Sequence, residues 1–260
     1  MAKKLDSIEY HNKKRSFDKV LTIYGRKAVL EALTDLQLIF HSIHLADSNK
    51  TNNTISDILG LATSRQIEVR YHDRKSLSRI SKNGKQDQGV AADIICSEYQ
   101  RADEFLAEKK WNVNTRLLAL DGITNPKNLG MIIRTVCAGN IDALLFSEKG
   151  NAEIGPLTIK ASAGTVFRSK IVRCNSLLET LQQYQRKGFE LCTLSTDANS
   201  SLFKHQTDKA TIYILGNESD GVSKEIKNLA NHQLNIPMLN GVESLNVAIT
   251  AALIAYNNFL

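Results

Sequence analysis

The chain has 260 residues, of which 42% are hydrophobic and 23% are charged. These proportions are typical of globular proteins, so they exclude a disordered, collagen-like or coiled-coil chain, and the length predicts one or two domains. The net charge of +6 favours a polyanionic partner without requiring one. The longest mostly apolar stretch, residues 248–256, is far shorter than the ~20 residues of a membrane-spanning helix, so we expect no membrane partner.

Residues 1–20 are predicted to be a basic N-terminal arm. They carry a net charge of +3, half of the excess, from Lys3, Lys4, Lys13, Lys14, Arg15 and Lys19 against Asp6, Glu9 and Asp18. Two interpretations stay open, a mobile arm that contacts phosphates and a tail that only aids solubility. Because the arm lacks the apolar segment of a secretory signal, we expect a cytoplasmic location.

Residues 21–99 alternate short strand and helix patterns, which predicts a small α/β domain. The predicted elements are a turn at Gly25 into a helix, a strand at 41–47, a helix at 55–66, a strand at 67–73, a polar loop at 82–89 and a strand at 90–99. The highly charged segment 100–115 is predicted to be a linker, in part helical, to a second domain.

Residues 116–260 contain nearly continuous apolar strands separated by helices, a pattern typical of a parallel sheet covered on both faces. The predicted strands are 116–122, 142–148, 189–196 and 210–218, and helices are predicted at 129–139 and 177–188. Because ligands bind beyond the carboxyl ends of such strands, we expect a site in the loops that start at Asp121, Ser195 and Gly216.

No metal site is predicted. The four cysteines, at positions 96, 137, 174 and 192, form no CxxC pair and are expected to be reduced and mostly buried. His41 and His44 form an HxxH, but no second pair lies at the spacing of a zinc finger.

Three loop motifs point to a known family. The chain has no GxGxxG after a strand and no GxxxxGK[ST], which excludes the common dinucleotide and P-loop sites. It carries instead NPKNLGMIIRT (125–135), LGNESDG (215–221), and IPM (236–238) followed by GVESLNVA (241–248). In this order they resemble the three motifs of the SpoU/TrmH-type RNA ribose 2′-O-methyltransferases. The segments LTIYGRKAVLEAL and QGVAADI resemble the small substrate-binding domain of the rRNA members.

The resemblance implies a parallel α/β domain whose C-terminal segment forms a deep trefoil knot, an exception to the usual unknotted topology. It implies a homodimer that binds S-adenosyl-L-methionine in the knot and methylates RNA at an active site built at the subunit interface. The two-domain layout favours rRNA as the substrate and leaves tRNA open. Two alternatives remain, an RNA-binding protein or ribosome assembly factor that has lost catalysis, and a base methyltransferase of the same superfamily.

The resemblance also assigns residues. The positions matched to cofactor contacts are Gly216, Ile236 and Leu245, with Asn217 and Met238 beside them, and the polar set of the family is matched by Asn128, Arg134, Glu218, Ser244 and Asn246. These residue types suit such roles, because glycine lets the backbone approach a ligand and apolar side chains can wall an adenine.

Each polar residue also has a purely structural interpretation. Asn128 and Ser244 are candidate helix caps, and Glu218 could tie loops together. Asn246 is expected to organise the pocket. We expect Arg134 to be essential, but whether it removes the ribose proton stays open, because a protonated guanidinium offers no acceptor.

Overall fold

The computed structural model describes residues 19–49, 53–96, 99–108, 111–147 and 149–257. The predicted basic arm lies outside these residues except for Lys19 and Val20. Among the residues described, none of the helices combines the length and apolar character needed to cross a membrane. The chain divides into two compact units, one containing the chain up to Tyr99 with Ile154–Lys160, the other Gln100–Glu153 and the chain from Ala161.

The first unit is a mixed four-stranded sheet with helices. Its elements are β1 (Val20–Tyr24), α1 (Arg26–Thr34), β2 (Ile39–Ala46), α2 (Asn53–Ser64), β3 (Val69–His72), α3 (Arg74–Ser81) and β4 (Val90–Ile95). The strand order is β1-β4-β2-β3, with β4 antiparallel to both neighbours and β2 parallel to β3. Tyr24 is only 3% exposed and packs in the core.

The second unit is built on an eight-stranded sheet. Its elements are β5 (Gln100–Arg101), α4 (Ala102–Glu108), β6 (Arg116–Asp121), α5 (Pro126–Ala138), β7 (Ala143–Ser147), β8 (Ile171–Cys174), α7 (Leu177–Arg186), β9 (Glu190–Leu194), β10 (Ser200–Ser201), β11 (Thr211–Gly216), α8 (Lys224–Leu229), β12 (His232–Asn235) and α9 (Val247–Tyr256). Another helix, α6 (Pro156–Ala161), begins in the segment grouped with the first unit, and single 3-10 turns lie at Thr165–Phe167 and Leu202–Lys204.

All strand pairs of this sheet are parallel, in the order β10-β12-β9-β11-β6-β7-β8-β5. Strand β7 is buried along its whole length, as are β6 and β11 up to their last residues, which explains their uninterrupted apolar sequences. The predicted α/β class, parallel sheet and small N-terminal α/β domain are confirmed. The trefoil knot stays a prediction.

Helices α5 and α9 pack against each other and frame the site. Gly139, just after α5, permits this approach, since a Cβ there would lie 2.7 Å from the Cβ of Ala255. The buried Arg116 guanidinium donates to the Ile254 carbonyl over 2.9 Å, which ties α9 back to strand β6. The C-terminal helix is therefore held on the central part of the sheet.

The caps of these two helices differ from the predicted ones. Asn125, followed by proline at the first helical position, caps α5, and its side chain accepts from the Lys127 amide. Asn246 caps α9 by accepting from the Ala248 amide. Asn128 and Ser244 are therefore not caps. Asn125, three positions before Asn128, caps α5, and Asn246, two positions after Ser244, caps α9.

The predicted linker at residues 100–115 is part of the second unit. It contains β5, which pairs with β8, and α4. Phe105 is 1% exposed in the core, and its ring lies 5.0 Å from that of Trp111. These two aromatic side chains anchor the segment in the second unit, while charged residues such as Asp103 and Glu108 are exposed.

Candidate active site

A cleft of about 510 Å³ opens at the carboxyl ends of the adjacent strands β12, β9 and β11. This is the edge at which parallel sheets bind ligands, and the volume is in the range of small-molecule sites. The cleft is lined by residues from the three loops and the start of α9, namely Leu194–Asp197, Leu215–Val222, Lys227, Ile236, Met238, Ser244–Val247 and Thr250. It lies entirely within the second unit.

The loop after β11 folds back on itself at Gly216. The Asn217 and Gly221 backbones exchange two hydrogen bonds of 3.0 and 2.9 Å. A Cβ on Gly216 would lie 2.0 Å from the carbonyl carbon of Gly221, so no other residue fits there. The Asn217 side chain donates to the Gly122 carbonyl and accepts from the Ser219 amide, each over 2.8 Å. Glycine and asparagine together hold this loop at the wall of the cleft.

Three polar side chains from separate motifs form one chain of hydrogen bonds. Asn128, which is 5% exposed in the first turn of α5, donates from Nδ2 to Glu218 Oε1. Asn246 Nδ2 donates to Asn128 Oδ1 over 3.3 Å. Because Asn246 also caps α9, the network connects the starts of two helices to the β11 loop. The network therefore holds the Glu218 carboxylate in a fixed place at the edge of the cleft.

An apolar wall faces this polar side. Ile236 and Met238 follow β12, and Leu245 precedes α9. All three line the cleft and are partly buried. Such a wall gives the flat face of a heterocyclic ring an apolar surface next to groups that can bind its polar edge.

Arg134 is placed differently from the other predicted residues. It lies in the third turn of α5, is exposed, and is not among the residues that line the cleft. Within the described part of the chain, its side chain makes no hydrogen bond or ion pair. As far as the described residues extend, this guanidinium is therefore free to bind another molecule.

Eight of the ten predicted site residues line the cleft: Glu218, Ser244, Asn246, Gly216, Asn217, Ile236, Met238 and Leu245. Asn128 does not line the cleft but is hydrogen-bonded to Glu218, which does, and Arg134 does not line it. The motifs missed Asp197 and Lys227, which also line the cleft. The position of Asp197 just after β9 was the available signal, since the loop starting at Ser195 was already expected to meet a ligand.

The fold and the cleft define a two-unit α/β protein with a ligand site at the carboxyl edge of a parallel sheet. A profile of the SpoU rRNA Methylase family matches residues 115–256, and a profile of the RNA 2′-O ribose methyltransferase substrate-binding domain matches residues 22–100. The chain therefore belongs to the SpoU family of RNA methyltransferases, as its three motifs indicated.

Known proteins resemble the chain over nearly its whole length. A Staphylococcus saprophyticus protein named as a TrmH family tRNA/rRNA methyltransferase is 31% identical over 242 residues, 92% of this chain and 95% of the relative. A structure described as an RNA methyltransferase of the TrmH family from Porphyromonas gingivalis is 25% identical, with a TM-score of 0.60 over 94% of this chain and 91% of that one.

The same fold is present in AviRb, a SpoU methyltransferase from Streptomyces viridochromogenes whose crystal structure contains AdoMet. That protein is 19% identical to this one, with a TM-score of 0.62 over 94% of this chain and 91% of AviRb. At this identity the likeness concerns the fold alone.

Proposed function

We propose that this protein transfers a methyl group from S-adenosyl-L-methionine to a ribose 2′-hydroxyl of structured RNA, with rRNA as the favoured substrate. The observation that carries the proposal is that the second and third motifs line one cleft. Asn128 of the first motif joins them through its hydrogen bonds with Glu218 and Asn246.

The residues of the cleft fit the cofactor. Gly216 lets the loop after β11 fold back on itself at the wall of the cleft, because the Gly221 and Val222 backbone fills the space that a Cβ would need. Ile236, Met238 and Leu245 would hold the adenine on their apolar wall. Asp197, at the mouth of the cleft, offers carboxylate oxygens to ribose hydroxyls. S-adenosyl-L-methionine supplies an electrophilic methyl group on a sulfonium sulfur.

The remaining polar residues suit recognition of the RNA ribose. Methyl transfer requires a defined approach of the 2′-hydroxyl oxygen and loss of its proton. Asn128 and Asn246 hold the Glu218 carboxylate at the edge of the cleft, and Ser244 adds a hydroxyl there. Arg134, with five N–H donors and no hydrogen-bond or ion-pair partner among the described residues, binds phosphate and ribose oxygens and so fixes the nucleotide.

A homodimer explains the position of Arg134. Met131 lies one turn before it on α5 and is 40% exposed, and Ile249, on the packed helix α9, is 52% exposed. Apolar side chains of this size on a shared surface are typical of an interface. In the proposed dimer, this surface is covered by a second copy, and Arg134 of one subunit faces the cleft of the other.

The first unit supplies further RNA contacts in this proposal. Arg26 and Arg74 lie at a pocket that also includes Ser48, Asn49 and Gln88. Arg26 donates to Asn49 Oδ1 over 3.1 Å, and Arg74, which pairs with the buried Asp87 over 3.3 Å, keeps half of its side chain exposed. Two guanidinium groups with amide and hydroxyl neighbours suit a backbone phosphate. The basic residues 1–20 and a cytoplasmic location complete the proposal.

The test is transfer of labelled methyl from S-adenosyl-L-methionine to separate rRNA and tRNA pools from a strain lacking this protein. We expect label in rRNA that digests to a 2′-O-methylated nucleotide. Label in a base would instead identify a base methyltransferase. Binding of RNA without cofactor binding or methyl transfer would identify an RNA-binding protein that has lost catalysis. Label only in tRNA would overturn the choice of substrate.

A further inference from the structure

A second group of ligand-type side chains lies on strand β9, away from the loop that forms the cleft. Glu190 and Cys192 are two residues apart and so point to the same face of the strand. His205 follows the 3-10 turn at Leu202–Lys204, and its ring meets this face. His232, the first residue of β12, pairs in register with Cys192. We call Glu190, Cys192 and His205 the β9 cluster.

The donor atoms of the β9 cluster converge. Cys192 Sγ lies 3.6 Å from His205 Nε2, which lies 3.7 Å from Glu190 Oε2. One donor atom from each residue lies within 4.8 Å of the others. Bonds of about 2.3 Å to sulfur and about 2.0 Å to nitrogen or oxygen place the donors of a tetrahedral zinc site roughly 3.3–3.6 Å apart. Small side-chain movements would therefore bring all three onto one ion.

The unsatisfied carboxylate oxygen is an independent indication of a cation. Glu190 is 9% exposed, and among the described residues its Oε2 accepts no hydrogen bond. The other oxygen, Oε1, is 2.9 Å from His232 Nε2. Buried carboxylate oxygens without partners are costly, and a cation removes that cost. The oxygen without a partner is the one that faces His205.

We propose that the β9 cluster binds Zn²⁺ or a similar divalent transition metal. One thiolate, one imidazole and one carboxylate, with water as the fourth ligand of a tetrahedral site, favour zinc over magnesium or calcium. Binding replaces the Cys192 thiol proton, which is released to solvent. His232, hydrogen-bonded to Oε1, is a positioning residue that orients the carboxylate.

The consequence is structural. The metal joins β9 to the segment at His205 and, through His232, to β12. Strands β9 and β12 carry the loops Leu194–Asp197 and Ile236–Met238 of the cleft. Occupancy is therefore expected to stabilise the edge of the sheet that supports the cleft, without taking part in methyl transfer.

The test uses the full chain, freed of metal by a chelator and titrated with Co²⁺. We expect one equivalent to produce the intense visible absorption of tetrahedral cobalt with a thiolate charge-transfer band, and equimolar Zn²⁺ to abolish both. Cys192→Ser should remove the charge-transfer band, and His205→Ala should weaken binding at least about tenfold. Cys174→Ser, which removes a half-buried thiol outside the cluster, should keep the full spectrum.

His232→Ala should bind cobalt more weakly while keeping the charge-transfer band, because it removes only the support of Glu190. Circular dichroism of each variant establishes that it is folded. A folded wild-type chain that shows no thiolate band with Co²⁺ would overturn the proposal. So would a band that survives both Cys192→Ser and His205→Ala, since the metal would then be bound elsewhere.

Discussion

Asn128 connects the three motifs through one amide. Its Nδ2 holds Glu218, and its Oδ1 accepts from Asn246, so each half of the amide has a different partner. The side chain is buried, and neither an acid nor an aliphatic residue offers both a donor and an acceptor there. At this position the chemistry of a single side chain determines whether the polar edge of the cleft is ordered.

Asn128→Ala is expected to lower the free energy of unfolding by about 1–2 kcal/mol, because two hydrogen bonds at a largely buried site are lost. Cofactor affinity should fall with it, since Glu218 loses its donor. Urea unfolding and cofactor titration measure both effects. Lys127→Ala, on the exposed side of the same turn, should stay within about 0.5 kcal/mol of wild type. Equal effects of the two variants would contradict the network.

Gly216→Ala tests the close backbone contact by which the loop after β11 folds back beside the cleft. The new Cβ would lie 2.2 Å from the Val222 nitrogen as well as against Gly221, and both contacts are with backbone. Unfolding free energy should fall by about 1–3 kcal/mol, and cofactor binding should be lost. Gly60→Ala, in α2 with open space around it, should instead gain about 0.5–1 kcal/mol. Normal cofactor affinity in Gly216→Ala would contradict the assigned site.

Sequence motifs predicted the residues of the cleft better than the role of each residue. Gly216 and Glu218 could be placed because their motif lies at the end of the predicted strand 210–218, and Leu245 because its motif resembles that of the family. The N-caps of α5 and α9 could not be predicted, since several polar residues near the start of each helix are equally good candidates. The β9 cluster gave no signal, because Glu190, Cys192 and His205 are brought together by strand pleating and a turn rather than by a recognisable spacing.

Among the elements, strongly apolar strands were the easiest to predict. Strands β6, β7 and β11 have apolar residues at consecutive positions, as expected where helices cover both faces of a parallel sheet. Strand β12, with the sequence HQLN, has one buried residue and no alternation that could identify it. Helix α3 was missed, since its buried face consists of Leu77 and Ser81. Such elements owe their structure to tertiary contacts.

The sheet of the first unit carries a pH-sensitive network. His44 lies 2.9 Å from the His72 ring nitrogen and 3.1 Å from Asp93 Oδ2, and Thr22 donates to Asp93 over 2.6 Å. Burial, with the charge of His44, lowers the pKa of His72 below its usual 6.5. Burial alone would raise the pKa of Asp93, but the hydrogen bonds from His44 and Thr22 outweigh it and lower that pKa.

Both shifts make acid destabilising. Both groups bind protons more readily in the unfolded chain than in the folded chain. The contribution of His72 to the free energy of unfolding is therefore complete above its unfolded pKa and is lost as the pH falls below that value. The contribution of Asp93 is lost as the pH falls further, through its lowered folded pKa. We therefore expect hydrogen-exchange protection of β2 and β4, corrected for intrinsic rates, to fall between about pH 6.5 and 5.

Two histidine variants separate this effect from general acid sensitivity. His72→Gln should flatten the decline near pH 6. His41→Ala, at an exposed site on the same strand β2, should change it much less, because the charge of His41 affects the pKa of Asp93 less than the hydrogen bonds of His44 and Thr22 do. Protection that is constant or rises as the pH is lowered to 5 would contradict the role of the network.

At the scale of the whole molecule, the proposed dimer is what completes the site. Ile249→Glu places a charge on the apolar surface of α5 and α9, and it should convert a dimer of twice 28.9 kDa into a monomer. Analytical ultracentrifugation measures the mass. Leu36→Glu, at an 83% exposed site in the first unit, should remain dimeric. A wild-type chain that sediments as a monomer at micromolar concentration would contradict the dimer.

The most direct test of the central claim compares methyl transfer to RNA by wild type, Arg134→Ala and Lys127→Ala under single-turnover conditions. We predict that Arg134→Ala loses at least about 100-fold in rate, a loss expected when a group that acts on the reacting atoms is removed. Its cofactor affinity and unfolding curve should match wild type, because Arg134 does not line the cleft and makes no hydrogen bond or ion pair within the described chain. Lys127→Ala should transfer at nearly the wild-type rate. An Arg134→Ala enzyme with near-normal turnover would contradict the account of the active site.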